Sequence, residues 1–360
     1  MADARVVPVS QIKAGIKAES TFGVGIDSSG DDGTAYRQLP IVQVEKPTFN
    51  ITREDRLLSG RGTLKNAADT IIQKEGGNVT MPFNMIATPK LLSQHLALVG
   101  QEHSESGSYV HETEFDGTSN GTSVGGSISN NLPHSVNLAY HIADGEGIKV
   151  TGAVCSELSL GLDYGTNGGN LTLGGSYYSG FSNPVSTGTA LEQTFTTGNW
   201  IAPETSYYNI GGLTTKTLDV EGNATQALIL KSFNLNIANG VNRTGFNTNG
   251  DAEAYSLPEY VITGDLTIKY DDEFDYGAAN NVIQDFLDGD TMSLALNWGD
   301  GTVSSAGELQ ILAEIQYTGD PAQDLSENGV FHTFAFQCYQ NGSTEGLKIT
   351  NFNGESQSAW

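Results

Sequence analysis

The chain has 360 residues, 44 of them glycine and only 16% charged, a composition that suits many turns between short strands and excludes a helical bundle. Asp and Glu outnumber Lys and Arg by 42 to 17, a formal charge of −25, which excludes tight nucleic-acid binding through phosphate neutralisation, because that needs cationic clusters. Like charge instead keeps a polyanion off the surface.

The length exceeds the roughly 100 to 200 residues of one domain, so two domains or one duplicated unit come first. Residues 1–40 are polar, include the turn-rich GIDSSGDDGT, and read as an N-terminal arm that orders on assembly. The start lacks a basic leader with an apolar core, and no window approaches 18 apolar residues, so neither export nor membrane insertion is expected. The first β domain is placed at 41–182. It opens with the strand-like IVQVEKPTFNITRED (41–55) and continues, after a polar and partly basic stretch, in GGNVTMPFNMI (76–86); together these read as a hairpin with a long loop.

Thr88 and Pro89 then supply an N-cap and a first-turn proline, Leu92, Leu96 and Val99 share one helical face, and Gly100 stops the helix. The Ser/Gly/Asn-rich stretch 104–134 reads as a surface insertion around the strand-like SYVHETEF. Strict alternation resumes at Val136, Leu138, Tyr140 and Ile142, then at Leu158, Leu160, Leu162 and Tyr164, with a further strand in NLTLGGSYYSG (170–180). A Thr/Gly/Ser-rich linker is placed at 183–226.

The second β domain, 227–360, repeats the order. Ile229, Phe233, Leu235 and Ile237 alternate with polar residues, a polar loop follows, and Ile262, Leu266, Ile268 and Tyr270 share the next strand face. Ala279, Val282, Ile283, Phe286 and Leu287 make a second short amphipathic helix closed by Gly289, before four more strands. The repeat is one of pattern, with a single large β-domain as the alternative.

Chemical motifs are few. Gly117-Thr-Ser119-Asn-Gly121 matches a nucleophile elbow but sits in a polar loop without the required strand and helix. His103 and His111, among Glu102, Glu105, Glu112 and Glu114, offer metal-type ligands without a fixing helical spacing. The acidic run Asp271, Asp272, Glu273 and Asp275 precedes the second helix, where carboxylates suit a helix N-terminus. Cys155 and Cys338, one in each half, give no disulfide framework and fit a reducing cytoplasm. Basic residues concentrate early: Arg53, Arg56, Arg61, Lys65 and Lys74 lie in one stretch, whereas residues 201–360 are strongly acidic. A basic loop of one subunit can therefore meet an acidic surface of another.

Several segments together resemble the major tail tube proteins of long-tailed bacteriophages, two-domain type: REDRLLSGRGTLKNAADTIIQKEGGNVTMPF (53–83), KLLSQHLALVG, GIKVTGAVCSELSLGLDYGTNGGNLTLGGSYYSG, ILKSFNLNIANGVNR with its terminal Asn239, and VITGDLTIKYDD. The resemblance implies a mainly β fold of two tandem tail-tube-like sandwich or barrel domains, each with one short helix packed outside the sheet and a long hairpin loop. It implies a structural virion subunit, with no catalysis and no cofactor or metal. Copies would form rings, as trimers with pseudo-sixfold symmetry, assembled in the host cytoplasm into the virion tail. The further partners implied are tail terminator, distal tail and tape-measure proteins, and double-stranded DNA that passes without specific binding. Ring stacking would use loops near 53–75 and 240–257, with Arg53, Arg56, Arg61, Lys65, Lys74 and Arg243 as candidates. Asp163 and Asp265, on polar strand faces, are the lumen candidates. The alternatives are a capsid decoration or receptor-binding tail protein, which stays a closed oligomer, and a carbohydrate-active enzyme, which needs paired carboxylates across a cleft.

Overall fold

The structure, a computed structural model, describes residues 12–19, 36–40, 45–55, 70–100, 102–106, 109–115, 135–143, 146–179, 192–194, 200–202, 204–220, 226–240, 242–246, 252–256, 260–269, 287–299, 303–305, 307–320, 322–327, 329–342 and 344–355. It is mainly β. The earlier part of the chain forms β1 (Lys13–Ala18), β2 (Tyr36–Leu39), β3 (Thr48–Asp55), β4 (Thr70–Ile86), α1 (Pro89–Val99), β5 (Glu102–Ser106), β6 (Val110–Phe115), β7 (Ser135–Ala143), β8 (Glu146–Asp163), β9 (Thr172–Ser179) and β10 (Glu192–Thr194). The later part forms β11 (Trp200–Ile201), β12 (Leu213–Val220), β13 (Gln226–Ala227), β14 (Leu230–Ala238), β15 (Asn242–Phe246), β16 (Ala252–Ser256), β17 (Val261–Lys269), β18 (Met292–Trp298), β19 (Leu309–Tyr317), β20 (Ala322–Glu327), β21 (Gly329–Cys338) and β22 (Leu347–Phe352).

One order of pairing occurs twice. In the first half β2, β1, β7, β8, β9, β4 and β3 are successive antiparallel neighbours, and β10 also pairs with β8. In the second half β13, β12, β18, β19, β21, β17 and β14 are successive antiparallel neighbours, and β22 also pairs with β19. β20 pairs with β21 beyond the point where β19 leaves it, so β19 and β20 together hold the place of β8.

The halves meet edge to edge. β8 pairs with β14 from Glu157↔Ala238 to Asp163↔Ser232, which makes β3, β4, β9, β8, β14, β17, β21 and β19/β20 one continuous run. A second joint pairs β22 with β6. Strand alternation gives this run one buried and one polar face. Across it, Met85, Leu173, Leu160, Leu235, Gly264, Phe336 and Tyr317 align on the core side. Apart from Gly264, all of these side chains are buried, in a hydrophobic cluster that extends from Ala14 to Ile349. Gly264 is fixed by that packing: a Cβ there would fall on the Asn234 carbonyl oxygen and the Phe336 ring.

Four expectations change here. The arm at 1–40 holds β1 and β2, with Ala14, Ile16 and Leu39 buried; their strands are too short and too Gly/Lys-interrupted to stand out as periodic. The linker at 183–226 likewise holds β10 to β12, and β13 begins at its end. The start of the 104–134 insertion is the β5–β6 hairpin, anchored on β22, with His111, Thr113 and Phe115 buried. Tyr164 does not continue the face of Leu158, Leu160 and Leu162: β8 ends at Asp163, and Tyr164 lies 74% exposed in the following turn. The helix expected near 279–287 and the acidic run at 271–275 lie outside the described residues, except for Leu287, as does the Gly117–Gly121 motif.

Helix α1 begins as the sequence indicates, with the Thr88 Oγ1 accepting from Leu91 N at 3.4 Å, Pro89 in the first turn and Gly100 as C-cap. It does not lie outside the sheet. Nearly every residue from Pro89 to Val99 is buried, because β8 lies against it on one side and β5, β6 and β22 contact it as well. Two of its buried polar side chains, Ser93 and His95, are held by hydrogen bonds. Ser93 Oγ donates to Pro89 O and bonds Asn351 Oδ1 at 2.9 Å. His95 donates from Nδ1 to Leu91 O at 2.6 Å and accepts from the Tyr177 hydroxyl.

Burial disfavours the imidazolium of His95 and lowers its pKa from 6.5 to about 4, against a smaller opposing effect of the Leu91 carbonyl. Between these values the unfolded chain binds the proton and the folded chain does not. The contribution of neutral His95 is thus complete above pH 6.5 and is lost as the pH falls toward 4, by about 3 kcal/mol. Denaturant titrations of the wild type and of His95→Gln should show that extra acid loss in the wild type alone; parallel pH profiles would contradict it.

Candidate functional site

The polar face of the long sheet is built mostly from uncharged side chains, with a few carboxylates among them. One transverse row runs Asn84, Gly174, Ser159, Asn236, Thr263, Gln337 and Gln316, and the next runs Ile86, Thr172, Gly161, Asn234, Asp265 and Ala335. The rows beyond them contain Ser176, Glu157, Ala238 and Val261 on one side, and Asp163, Ser232, Thr267 and Thr333 on the other. Within these rows the ionisable side chains are all carboxylates: Glu157, Asp163 and Asp265.

Asp163 and Asp265, the lumen candidates of the resemblance, come together. Both line one groove of 270 Å³ with Gly161, Asn167, Thr172 and Asn234. Asp163 Oδ1 accepts from Gly165 N at 2.7 Å, which tightens the turn after β8, and Asn234 Nδ2 donates to Asp265 Oδ2 at 3.2 Å. Gly161 packs closely against Thr172 at the groove, since a Cβ there would sit 2.7 Å from Thr172 Oγ1.

Asn239, at the end of β14, ties the two halves. It is fully buried, donates from Nδ2 to Cys155 O at 2.7 Å, and its backbone N–H reaches Ser156 O at 3.3 Å. The Cys155 thiol beneath it is pushed up to about 12 by burial, and Cys338 also to about 12 for the same reason; both are free thiols held in the unreactive protonated form.

Two hairpins leave the sheet at the same end. β4 is covered by β9 only from Val79 onward, and its earlier residues pair with β3 alone among the described strands. Beyond Ala238 and before Val261, β15 and β16 form a separate two-stranded sheet. Arg53 lies on β3, Lys74 on β4 and Arg243 on β15, where it pairs with Tyr255; their side chains, and Arg56, Arg61 and Lys65 altogether, fall outside the described residues.

His103 and His111 face each other across β5 and β6 as a buried, stacked pair. His111 Nε2 donates to Glu355 O at 2.9 Å, which leaves its Nδ1 to accept from His103 Nε2 at 3.3 Å, while His103 Nδ1 meets Thr113 Oγ1 at 2.8 Å. Burial lowers the His111 pKa. Among the described residues no group of three or more His, Cys, Asp or Glu side chains is arranged to hold a metal ion.

Sequence reasoning missed the closing tie. Glu355 makes ion pairs with Arg37 of β2 and, at 2.7 Å, with Lys90 of α1. Burial raises the Glu355 pKa, but the Lys90 hydrogen bond and the Arg37 charge outweigh it and hold the carboxyl below its usual range. Because Arg37 and Glu355 stand 318 positions apart in the chain, no local pattern announces the contact.

No protein-family model and no curated protein sequence matches the chain. Among the described residues no helix is long and apolar enough to cross a membrane.

Removing the Asn239 amide takes its hydrogen bond from the buried Cys155 carbonyl, so Asn239→Ala should cost about 1–3 kcal/mol in urea unfolding. A loss within error of zero would show that the joint does not depend on this side chain.

Proposed function

We propose that the chain is a structural subunit of a bacteriophage tail tube, built from two pseudo-equivalent β units whose polar sheet faces line the channel for DNA. One observation carries this reading: the strand order β3, β4, β9, β8 is followed, in the same sheet and with the same directions, by β14, β17, β21, β19/β20. A chain that joins its own units edge to edge retains the same two unlike edges at its ends. Among the described pairings β3 has β4 as its one neighbour, and β20 has β21. Leu325 on β20 is 68% exposed. Free edges invite further pairing, and repeating the step seats β3 of a second copy on β20 of the first. Three copies then supply six units to a closed ring, and head-to-tail stacking yields a filament.

The sheet chemistry fits a passage surface. Ser, Thr, Asn, Gln and Gly offer DNA no cation, and Glu157, Asp163 and Asp265 repel phosphate. DNA is then guided by exclusion from the wall, with no specific binding. The tail terminator, distal tail and tape-measure proteins are the further partners this role requires.

The carboxylates Asp163 and Asp265 in one groove also support a second reading as a carbohydrate-active enzyme. Electron microscopy of the purified protein separates the two. Hollow tubes with a regular ring repeat are expected; isolated particles that hydrolyse polysaccharide, with hydrolysis lost in Asp163→Asn, would overturn the tube. Reversing Arg53, Arg56, Arg61 and Lys65 to glutamate should leave a folded subunit that no longer polymerises, and normal tubes from that variant would remove the basic loop from the stacking contact.

A further inference from the structure

The β5–β6 hairpin is held to the later half of the chain along one edge. Among the described strands β5 has β6 as its one neighbour, and β6 pairs onward with β22 from Val110↔Phe352 to Phe115↔Leu347. Along this edge Lys348 Nζ bonds Glu114 at 2.7 Å and Glu112 at 3.0 Å, Asn353 N donates to Tyr109 O at 3.3 Å, and His111 Nε2 donates to Glu355 O. Tyr109, at the hairpin turn, has a φ of +66°, a left-handed conformation that a bulky side chain adopts only under constraint.

The polar contacts under the hairpin are incomplete. Arg37 and Asn353 both bind Glu355, yet Arg37 Nε and Asn353 Nδ2 are buried and find no hydrogen-bond partner among the described residues. A buried network with open donors contributes less than a complete one. The stacked His103–His111 pair adjoins it, with one proton between the rings. A first added proton keeps every hydrogen bond, because His103 turns its donor to Thr113 Oγ1 and accepts from His111 Nδ1. It also leaves a cation where both rings are at most 2% exposed. A second proton sets two N–H groups face to face and breaks the contact.

Glu105 of β5, opposite His111 in the register, and Glu355 favour an imidazolium, but burial outweighs them and lowers the His111 pKa. Arg37 of β2 and Lys90 of α1, both paired with Glu355, disfavour a further cation. Glu112, Glu114 and Lys348 pair with one another on the other face of β6 and β22, and His95 of α1 is turned to Tyr177. The unfolded imidazole takes up its proton near pH 6.5 and the folded one only at lower pH. The stabilisation by the neutral pair is therefore complete above pH 6.5 and is lost as the pH falls. Glu355, held below 4.5, gives up its ion pairs only in stronger acid.

We propose that the β5–β6 hairpin is an acid-released flap: mild acid parts it from β22, opens the outer joint between the two halves and uncovers that side of α1. β22 stays paired with β19, and the β8–β14 joint stays closed. The inference does not depend on the tail-tube reading.

Hydrogen exchange of the full chain between about pH 7.5 and 5, read by mass spectrometry and scaled for intrinsic rates, tests it. Protection of 102–115 should fall roughly tenfold more than that of 157–163 and 232–238, and the difference should open below pH 6.5. In His111→Gln, which keeps a neutral donor, the difference should vanish. Equal loss in the hairpin and at the β8–β14 joint, or a difference that survives in His111→Gln, overturns the flap. Should circular dichroism show the variant unfolded, the wild-type profile decides. A difference that opens below pH 6.5 supports the flap, and one that is absent until the pH reaches 4.5, where carboxylates take up protons, overturns it.

Discussion

The pairing of β8 with β14 is the constraint on which the rest depends. Seven register pairs, from Asp163↔Ser232 to Glu157↔Ala238, make two halves of the chain one sheet and place Leu158, Leu160 and Leu162 level with Ile237, Leu235 and Phe233. A slip of one residue would turn all six side chains from the core to the polar face. Burial of a leucine-sized side chain is worth about 1.5–3 kcal/mol, so the slip is strongly resisted. The same register fixes the other face, bringing Gly161, Asn234 and Asp265 into one row and leaving Asp163 in the adjoining one.

A second set of contacts closes the molecule from the far end of the sequence. β22 pairs with β6 of the first half, Asn351 binds both Ser93 and the Pro89 carbonyl, and Glu355 joins Arg37 to Lys90. Helix α1 is thereby enclosed on the side away from β8. Its enclosure explains why His95 is paired with Tyr177 and held neutral, and why the β5–β6 hairpin has buried histidines where the sequence offers a polar, insertion-like stretch. Among the described residues no such hairpin stands between Leu287 and β18, which four residues separate. The two halves thus share an order of strand pairing and differ, among the described residues, at this outer joint.

Much of this was legible in the sequence. Alternation located β8, β14 and β17 and most of their buried faces, a further strand was read at β9, capping chemistry located both ends of α1, and Asp163 and Asp265 were read on polar strand faces, where the structure places them. What was not legible has physical reasons. β1 and β12 are short, with glycine or threonine where a long strand would show apolar alternation, and become strands because β7 and β18 supply the hydrogen bonds. Ile229 was placed in the core but lies exposed, because a bulge between Leu230 and Ser232, which shifts the phase by one residue, has no marker in the local pattern. The Arg37–Glu355 pair joins residues too far apart in the chain for any period to connect.

The central claim is that the joint between β8 and β14 is repeated between copies. The most direct measurement is the ring structure by electron cryomicroscopy of the assembled protein. A threefold ring of six similar units, with β3 of one copy paired on β20 of the next and the Asn84 to Gln316 row facing the channel, is the predicted result. A ring of six chains, or a threefold ring in which β3 or β20 remains an unpaired edge, would contradict the account.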